Sequence, residues 1–147
     1  MAIYMMCKGQ KQGTITGGVS AAQFPGQIEC HSMQFGMGHP LGQSGLTTGK
    51  QVARPLVITK RTDPSTPLLL NACVNNENMT QIVISYVFEG ALHRAVATTT
   101  LTNAMVQDFN HVAQDDGSSI ETITFNYQKC EFTWVEGGIT GAWDLTT

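Results

Sequence analysis

Apolar and polar side chains alternate along much of this chain, most clearly in two neighbouring segments. In residues 79–89 every second side chain is β-branched or aromatic, which places these side chains on one face of a strand. They are Ile82, Ile84, Tyr86 and Phe88. Residues 92–106 follow and contain a run of three threonines, which a helix disfavours. Because residues 89–91 offer a turn, the two segments predict an antiparallel hairpin.

A longer alternating segment covers residues 120–135, well beyond the usual strand length of about 5–6 residues. Its apolar side chains occupy odd positions as far as Tyr127 and even positions from Cys130 onwards. A strand changes its buried face only through an extra residue or a sharp bend. The sequence therefore predicts a bulge near Gln128 and Lys129, where the strand would pass from one sheet to another.

The remaining pattern completes a mainly β fold with one helix. Five further segments have the composition of strands: residues 3–8, 13–16, 27–37, 51–60 and 139–144. Residues 63–67 offer helix-starting side chains and prolines, and residues 68–74 then carry an apolar stripe at helical spacing. The stripe consists of Leu68, Leu69, Ala72 and Cys73. We expect a β-barrel of two antiparallel sheets with one short flanking α-helix, in a single domain over residues 1–147.

The charge content changes what the surface is expected to do. Only 13% of the 147 residues are charged, against about 25% in a typical soluble protein. The 8 basic and 11 acidic residues are scattered, so no basic stripe predicts nucleic acid or a membrane as a partner. Neutral polar residues, among them 18 threonines, replace the missing charge. Such a surface is desolvated against a partner at little cost, so we expect self-association.

The beginning of the chain and its cysteines indicate a reducing compartment. The apolar start ends at Lys8, which is too early for a signal peptide, and no run approaches the ~20 apolar residues of a membrane helix. The four cysteines form no C-x-x-C pair, and each lies in an apolar stretch. They are Cys7, Cys30, Cys73 and Cys130. We expect them to be free thiols in a cytosolic protein.

One long segment, residues 38–50, is neither helical nor strand-like. It contains four glycines and a proline, and loops of this length in compact domains are usually functional or disordered. Leu41 and Leu46 lie in this segment without other large apolar side chains on which they could pack. We therefore expect an assembly loop that docks on a neighbouring subunit, with Gly38, Leu41, Leu46, Gly49 and Lys50 as its marked residues.

Candidate catalytic and metal-binding groups do not form a recognisable site. Gly49 and Lys50 resemble the end of a phosphate-binding loop, but the required glycine five residues earlier and the following Ser or Thr are absent. Cys30 and His31 would face opposite sides of a strand, so they predict no metal site with His39.

The remaining candidate groups are equally unpromising. His111 with Asp115 and Asp116 lies in residues 107–119, which read as a polar loop. Phe132, Trp134 and Trp143 read as core aromatics rather than as a stacking platform. We expect no enzyme activity, cofactor or metal.

Several of these segments resemble the Hcp family, the haemolysin-coregulated proteins of the bacterial type VI secretion system. Residues 57–69, V-I-T-K-R-T-D-P-S-T-P-L-L, look like the family's F-T-K-x-x-D-x-S-T-P-x-L signature. Residues 27–36 are similar to its G-x-I-D-V…W-x-W-G strand, and residues 49–50 and 121–127 also fit. The ending G-A-W-D-L at residues 141–145 resembles the family's G-W-D-L close.

The resemblance implies a structural tube subunit. Six copies would form a ring, and stacked rings would form a hollow tube that a contractile sheath expels with a spike protein at its tip. Effector proteins would travel in the lumen, where Gln34 stands between Met33 and Phe35 at the place of a small residue between two tryptophans. The tube would assemble in the bacterial cytoplasm and be secreted without a signal peptide. We expect no toxin domain after Thr147.

Two other functions remain open at this point. A phage-type tail-tube protein would share the architecture and the ring-forming logic. A small monomeric β-barrel enzyme or ligand carrier would instead be a monomer with a closed pocket.

Overall fold

Eight strands and one helix make up the chain in a computed structural model, which describes residues 2–19, 24–42, 45–46, 51–88 and 94–144. In chain order the elements are β1 (Ala2–Gly9), β2 (Gly13–Ile15), β3 (Ile28–Gly38), β4 (Val52–Lys60), α1 (Ser65–Val74), β5 (Met79–Val87), β6 (Ala97–Ala113), β7 (Ser119–Trp134) and β8 (Ile139–Asp144). The predicted mainly β fold with one short helix is confirmed. The turn predicted at residues 89–91 lies outside the described residues.

Six of the strands close into a ring, because each has a hydrogen-bonded partner on both sides. The order is β1–β3–β4–β7–β6–β5, and β5 pairs back with β1. All the pairings are antiparallel. The short β2 pairs with the end of β1, and β8 pairs with the second half of β7. The strands therefore form one continuous sheet that closes on itself.

The core fills the inside of this ring, since alternate side chains of every ring strand point inwards. Fully buried members include Met5, Ile28, Ile58, Ile84, Leu101 and Phe125. The helix α1 covers one part of the core with Leu69 and Ala72, both buried, while Leu68 and Cys73 pack against it partly exposed. The predicted apolar stripe is thus the face that the helix uses.

The long strand β7 changes neighbours, but not through the predicted bulge. Its first half pairs with β4 as far as Phe125, and its second half pairs with β8 from Lys129. The register with β6 is the same on both sides of Gln128, so no extra residue is inserted there. The register shift lies in β6 instead, between Val106 and Asp108. β7 thus changes neighbours within one continuous sheet, so both the predicted passage between two sheets and the bulge position are wrong.

The stretch predicted as a polar loop, residues 107–119, is mostly strand. β6 continues to Ala113 and β7 begins at Ser119, so only a short turn separates them. Almost all side chains between Asn110 and Ser118 are exposed. This hairpin therefore projects beyond the core with both faces towards solvent, and the alternation that marks a half-buried strand is missing.

Candidate assembly surfaces and a buried polar cluster

The predicted assembly loop begins where β3 ends, at Gly38. Leu41 is 73% exposed and Leu46 is 70% exposed. The Gly42 N–H donates to the Leu46 carbonyl at 2.6 Å, and Gly45 adopts a φ of +84°. Gly49 and Lys50 lie outside the described residues. The two leucines are therefore open to a partner, while the role of the loop remains a prediction.

Gln34 points away from the core, on an outer face built by four adjacent strands. Met33 and Phe35 on either side of it pack against the core. Cross-strand pairing aligns Gln34 with Val57, Thr124 and Asp108 in one row. It aligns Ser32 with Thr59, Thr122 and Asn110 in the next row. We call these eight residues the threonine face, and Asp108 is its one charged member.

Hydroxyl groups on the threonine face bond to each other. The Ser32 Oγ lies 2.6 Å from the Thr59 Oγ1 across the β3–β4 pair. A face of this kind offers donors and acceptors to water or to a partner without presenting a strong field. The predicted lumenal position Gln34 thus lies on a mostly uncharged polar surface, and its lumenal role stays a prediction.

A buried cluster of charged and polar side chains joins β4, α1 and the β6–β7 hairpin. Lys60 and Glu121 are both fully buried, and their Nζ and Oε1 atoms are 2.7 Å apart. Lys60 also contacts Asp63, at 2.9 Å. Thr66 donates to the second carboxylate oxygen of Glu121 at 2.9 Å, and His111 Nδ1 lies 2.8 Å from the same oxygen. We call Lys60, Asp63, Thr66, His111 and Glu121 the buried polar cluster.

The cluster favours the ionised form of Glu121. Burial alone would raise the pKa of this carboxyl, because desolvation penalises the charged form. Hydrogen bonds from Lys60, His111 and Thr66 outweigh that effect, and the pKa is held below its ordinary value. Removing either Lys60 or Glu121 would leave an uncompensated buried charge, which is the costly way to break such a pair.

The start of α1 is part of the same arrangement. Pro64 occupies the N-cap position and has no side chain that could cap the helix. The carboxylate of Asp63 accepts the Ser65 N–H instead, at 2.9 Å, and it also accepts the Ser65 hydroxyl. The residues that the sequence marked as helix-starting thus fix the helix to the end of β4.

Two histidines have other partners than the sequence suggested. His111 contacts Glu121, its cross-strand neighbour, and not Asp115 or Asp116. His31 accepts a hydrogen bond from the Arg61 Nε at 3.0 Å. Among the described residues, no group of three or more His, Cys, Asp or Glu side chains could hold a metal ion.

A second buried carboxylate ties the β1–β2 turn to the end of α1. Glu77 accepts the backbone N–H groups of Lys11 and Gln12 at 3.1 and 2.9 Å, and its other oxygen accepts the Gln12 side chain at 3.1 Å. Burial opposes ionisation, but these hydrogen bonds hold the pKa of Glu77 below its ordinary value. An open groove of about 470 Å³ lies here, lined by Lys11, Gln12, Asn71, Asn75 and Glu77.

The aromatic side chains are only partly where the sequence placed them. Trp143 packs against Phe35 and Tyr127, with ring centroids 5.9 and 6.3 Å apart, so its core role is confirmed. Trp134 and Phe132 are 41% and 38% exposed. The prediction of a core position is wrong for these two, because the end of the β7–β8 hairpin extends past the core.

The cysteines are free thiols, and three of them are buried. Burial raises the pKa of Cys30 and of Cys130 to about 12, and it raises the pKa of Cys7 as well. Thiols with a raised pKa carry little of the reactive thiolate at neutral pH. Cys73, on α1, is the partly exposed one.

No helix within the described ranges is long and apolar enough to cross a membrane.

Comparison with known proteins gives one consistent result over almost the whole chain. The family model described as "Type VI secretion system effector, Hcp" matches residues 4–134. The major exported protein of Pseudomonas aeruginosa is 33% identical over 160 aligned positions, which cover 96% of this chain and 93% of that protein.

Solved structures of similar proteins have the same fold. A mutant of Hcp1 from the E. coli EAEC 042 pathovar superposes with a TM-score of 0.89 at 22% identity, covering 99% of each chain. The secreted protein Hcp3 of Pseudomonas aeruginosa gives 0.78 at 25% identity over 97% of each chain. Hcp1 of Salmonella typhimurium gives 0.80 at 21% identity, over 99% of this chain and 97% of that one. With the family model matching from β1 into β7, this chain belongs to the Hcp family of type VI secretion proteins.

Proposed function

We propose that this protein is a structural tube subunit of the type VI secretion system, and not an enzyme. Its copies form hexameric rings, and the rings stack into a tube that is expelled from the bacterial cytoplasm by a contractile sheath, with a spike protein at the tip. The observation that carries this proposal is the family match over residues 4–134. The same match favours a secretion tube over a phage-type tail tube.

Exposed apolar side chains support a subunit whose surface is buried against other subunits. Leu41 and Leu46 expose most of their side chains on a loop that projects from the end of β3. A flexible segment is ordered at a cost of about 1–2 kcal/mol per residue, and burying each leucine would return about 1.5–3 kcal/mol. Docking on a neighbouring subunit therefore gives the loop its reason to be ordered.

The threonine face supports a lumenal surface that carries effector proteins. Apart from Val57 and Asp108, the side chains of the threonine face offer hydroxyl and amide groups, which hold water and form weak, reversible hydrogen bonds. A passenger could be carried on such a surface and released from it without a large barrier.

Mass in solution and electron microscopy test the proposal together. Light scattering should give about six times the mass of a 15.9 kDa chain, and negative-stain images should show rings. Replacing Leu41 and Leu46 by serine should prevent stacking and leave the unfolding midpoint nearly unchanged. The control is Ile139→Thr, which alters a side chain of similar exposure, 68%, on β8. A wild-type protein that stays a single chain at micromolar concentration would refute the proposal.

A further inference from the structure

The tip of the β6–β7 hairpin combines an apolar pair with acidic residues. Val112 and Ile120 face each other across the two strands and are 42% and 45% exposed. The turn beyond them carries Asp115 and Asp116. Neither aspartate forms a salt bridge with any other described residue. The tip thus presents apolar surface next to uncompensated negative charge.

Hydrogen bonds within the chain hold the turn at the hairpin tip. Asp116 accepts the N–H and the hydroxyl of Ser118 at 2.9 and 2.7 Å, which fixes the turn. Ser119 at the base of the turn accepts a hydrogen bond from Thr62 at 2.9 Å. Asp115 takes no part in these bonds, so its side chain is free for a contact elsewhere.

A surface of complementary chemistry lies at the other end of α1. Leu70 and Val74, one helical turn apart, are 44% and 71% exposed. The open groove of about 470 Å³ runs beside their neighbours Asn71 and Asn75 and includes Lys11. Lys11 forms no salt bridge within the described ranges. Its charge helps to lower the pKa of the buried Glu77 carboxylate, whose hydrogen bonds come from backbone and amide donors.

We propose that the hairpin tip of one copy docks on the α1 groove of a second copy. Val112 and Ile120 would pack on Leu70 and Val74, and the Asp115 carboxylate would pair with the Lys11 ammonium group. Asp115 and Lys11 have opposite charges, and each surface joins an exposed apolar pair to exposed charge. Two different faces of one subunit make a heterologous contact, which repeats from copy to copy and closes into a ring or continues along an axis.

This inference rests on the proposed self-assembly, and charge reversal tests it separately. Asp115→Lys should raise the protein concentration needed for assembly about tenfold, because it replaces an attraction by a repulsion. Lys11→Glu should do the same. The combined variant Asp115→Lys with Lys11→Glu should assemble like wild type, since the pair is restored with its signs exchanged. The control is Glu136→Lys in the β7–β8 turn, an equally exposed acid at another hairpin tip.

The apolar part is tested without changing any charge. Ile120→Thr keeps a β-branched side chain and should weaken assembly, whereas Ile139→Thr should not. The mass in solution is followed by light scattering, and circular dichroism checks that each variant is folded. Wild type that never assembles refutes the proposed function. Wild type that assembles while Asp115→Lys and Ile120→Thr assemble equally well refutes the docking inference alone, and a combined charge variant that stays weak refutes the pairing of Asp115 with Lys11.

Discussion

Replacing Lys60 by methionine tests whether the buried polar cluster holds the molecule together. Methionine has a similar length and no charge, so the change removes the ammonium group and little packing. Glu121 would then lie fully buried with His111 and the hydroxyl groups of Thr62 and Thr66 as its remaining partners. Removing one member of a buried pair costs about 3–5 kcal/mol. That is a large part of the roughly 5–15 kcal/mol that stabilises a domain.

Urea unfolding at one fixed protein concentration measures the effect, because assembly itself stabilises the folded state by mass action. The control is Lys129→Met, which removes an exposed pair with Glu131 and should leave the free energy of unfolding nearly unchanged. The double variant Lys60→Met with Glu121→Leu should regain part of the loss, since neither charge is then left unpaired. A Lys60→Met protein within about 1 kcal/mol of wild type would refute the reasoning, because a buried carboxylate that loses its ammonium partner should destabilise the fold by more than that.

Three further predictions concern acid, close packing and thiols. Folding lowers the pKa of Glu121, so the ionised carboxylate stabilises the fold fully above its unfolded pKa, and this stabilisation is lost as the pH falls through its folded pKa. Glu121→Gln should therefore make the free energy of unfolding depend less on pH below about pH 4.3. An unchanged pH dependence in that range contradicts this. A Cβ at Gly17 would lie 2.5 Å from the Gln27 carbonyl oxygen, so Gly17→Ala should lower the free energy of unfolding by about 1–3 kcal/mol, and Gly141→Ala, with open space, should not. Only Cys73 should react rapidly with a thiol reagent in the native protein, and four rapid equivalents would show that the buried thiols are accessible.

Alternation predicted the strands well wherever one face is buried and the other is solvated. β1 was predicted at residues 3–8 and lies at Ala2–Gly9, with every second side chain buried. The turn end of the β6–β7 hairpin was not predicted as strand, because a hairpin that is exposed on both faces shows no alternation of apolar and polar side chains. Local pattern thus reveals strands through burial and not through extension itself.

The buried polar cluster was missed because its fully buried ion pair joins Lys60 to Glu121, which are far apart in the sequence. A signal was nevertheless present in the alternation. Lys60 lies on the same buried strand face as Leu56 and Ile58, and Glu121 lies on the same buried strand face as Ile123. A charged residue in a buried phase needs a partner of opposite sign. Two residues of opposite charge, each on the buried face of a different strand, therefore predict an ion pair, although no sequence spacing connects them.

The assembly surfaces were anticipated unevenly. The glycines and the proline of residues 38–50 made an exposed loop foreseeable, and Leu41 and Leu46 are exposed on it. The hairpin tip and the α1 groove could not be foreseen. Val112 and Ile120 meet only through cross-strand register, and the groove beside α1 forms only through tertiary packing.

The closed order of the six ring strands has a consequence for synthesis on the ribosome. Of the ring strands, β1 is synthesised first, but its partner β5 follows only about 80 residues later. β4 and β6 are connected in the sheet only through β7, which is synthesised after both. The sheet therefore cannot close on a nascent chain until β7 has left the exit tunnel. Until then the inward side chains of β1, among them Met5 and Cys7, have no complete core to enter. The newborn chain depends on rapid completion, or on a chaperone that shields its first strand, more than a protein of local contacts would.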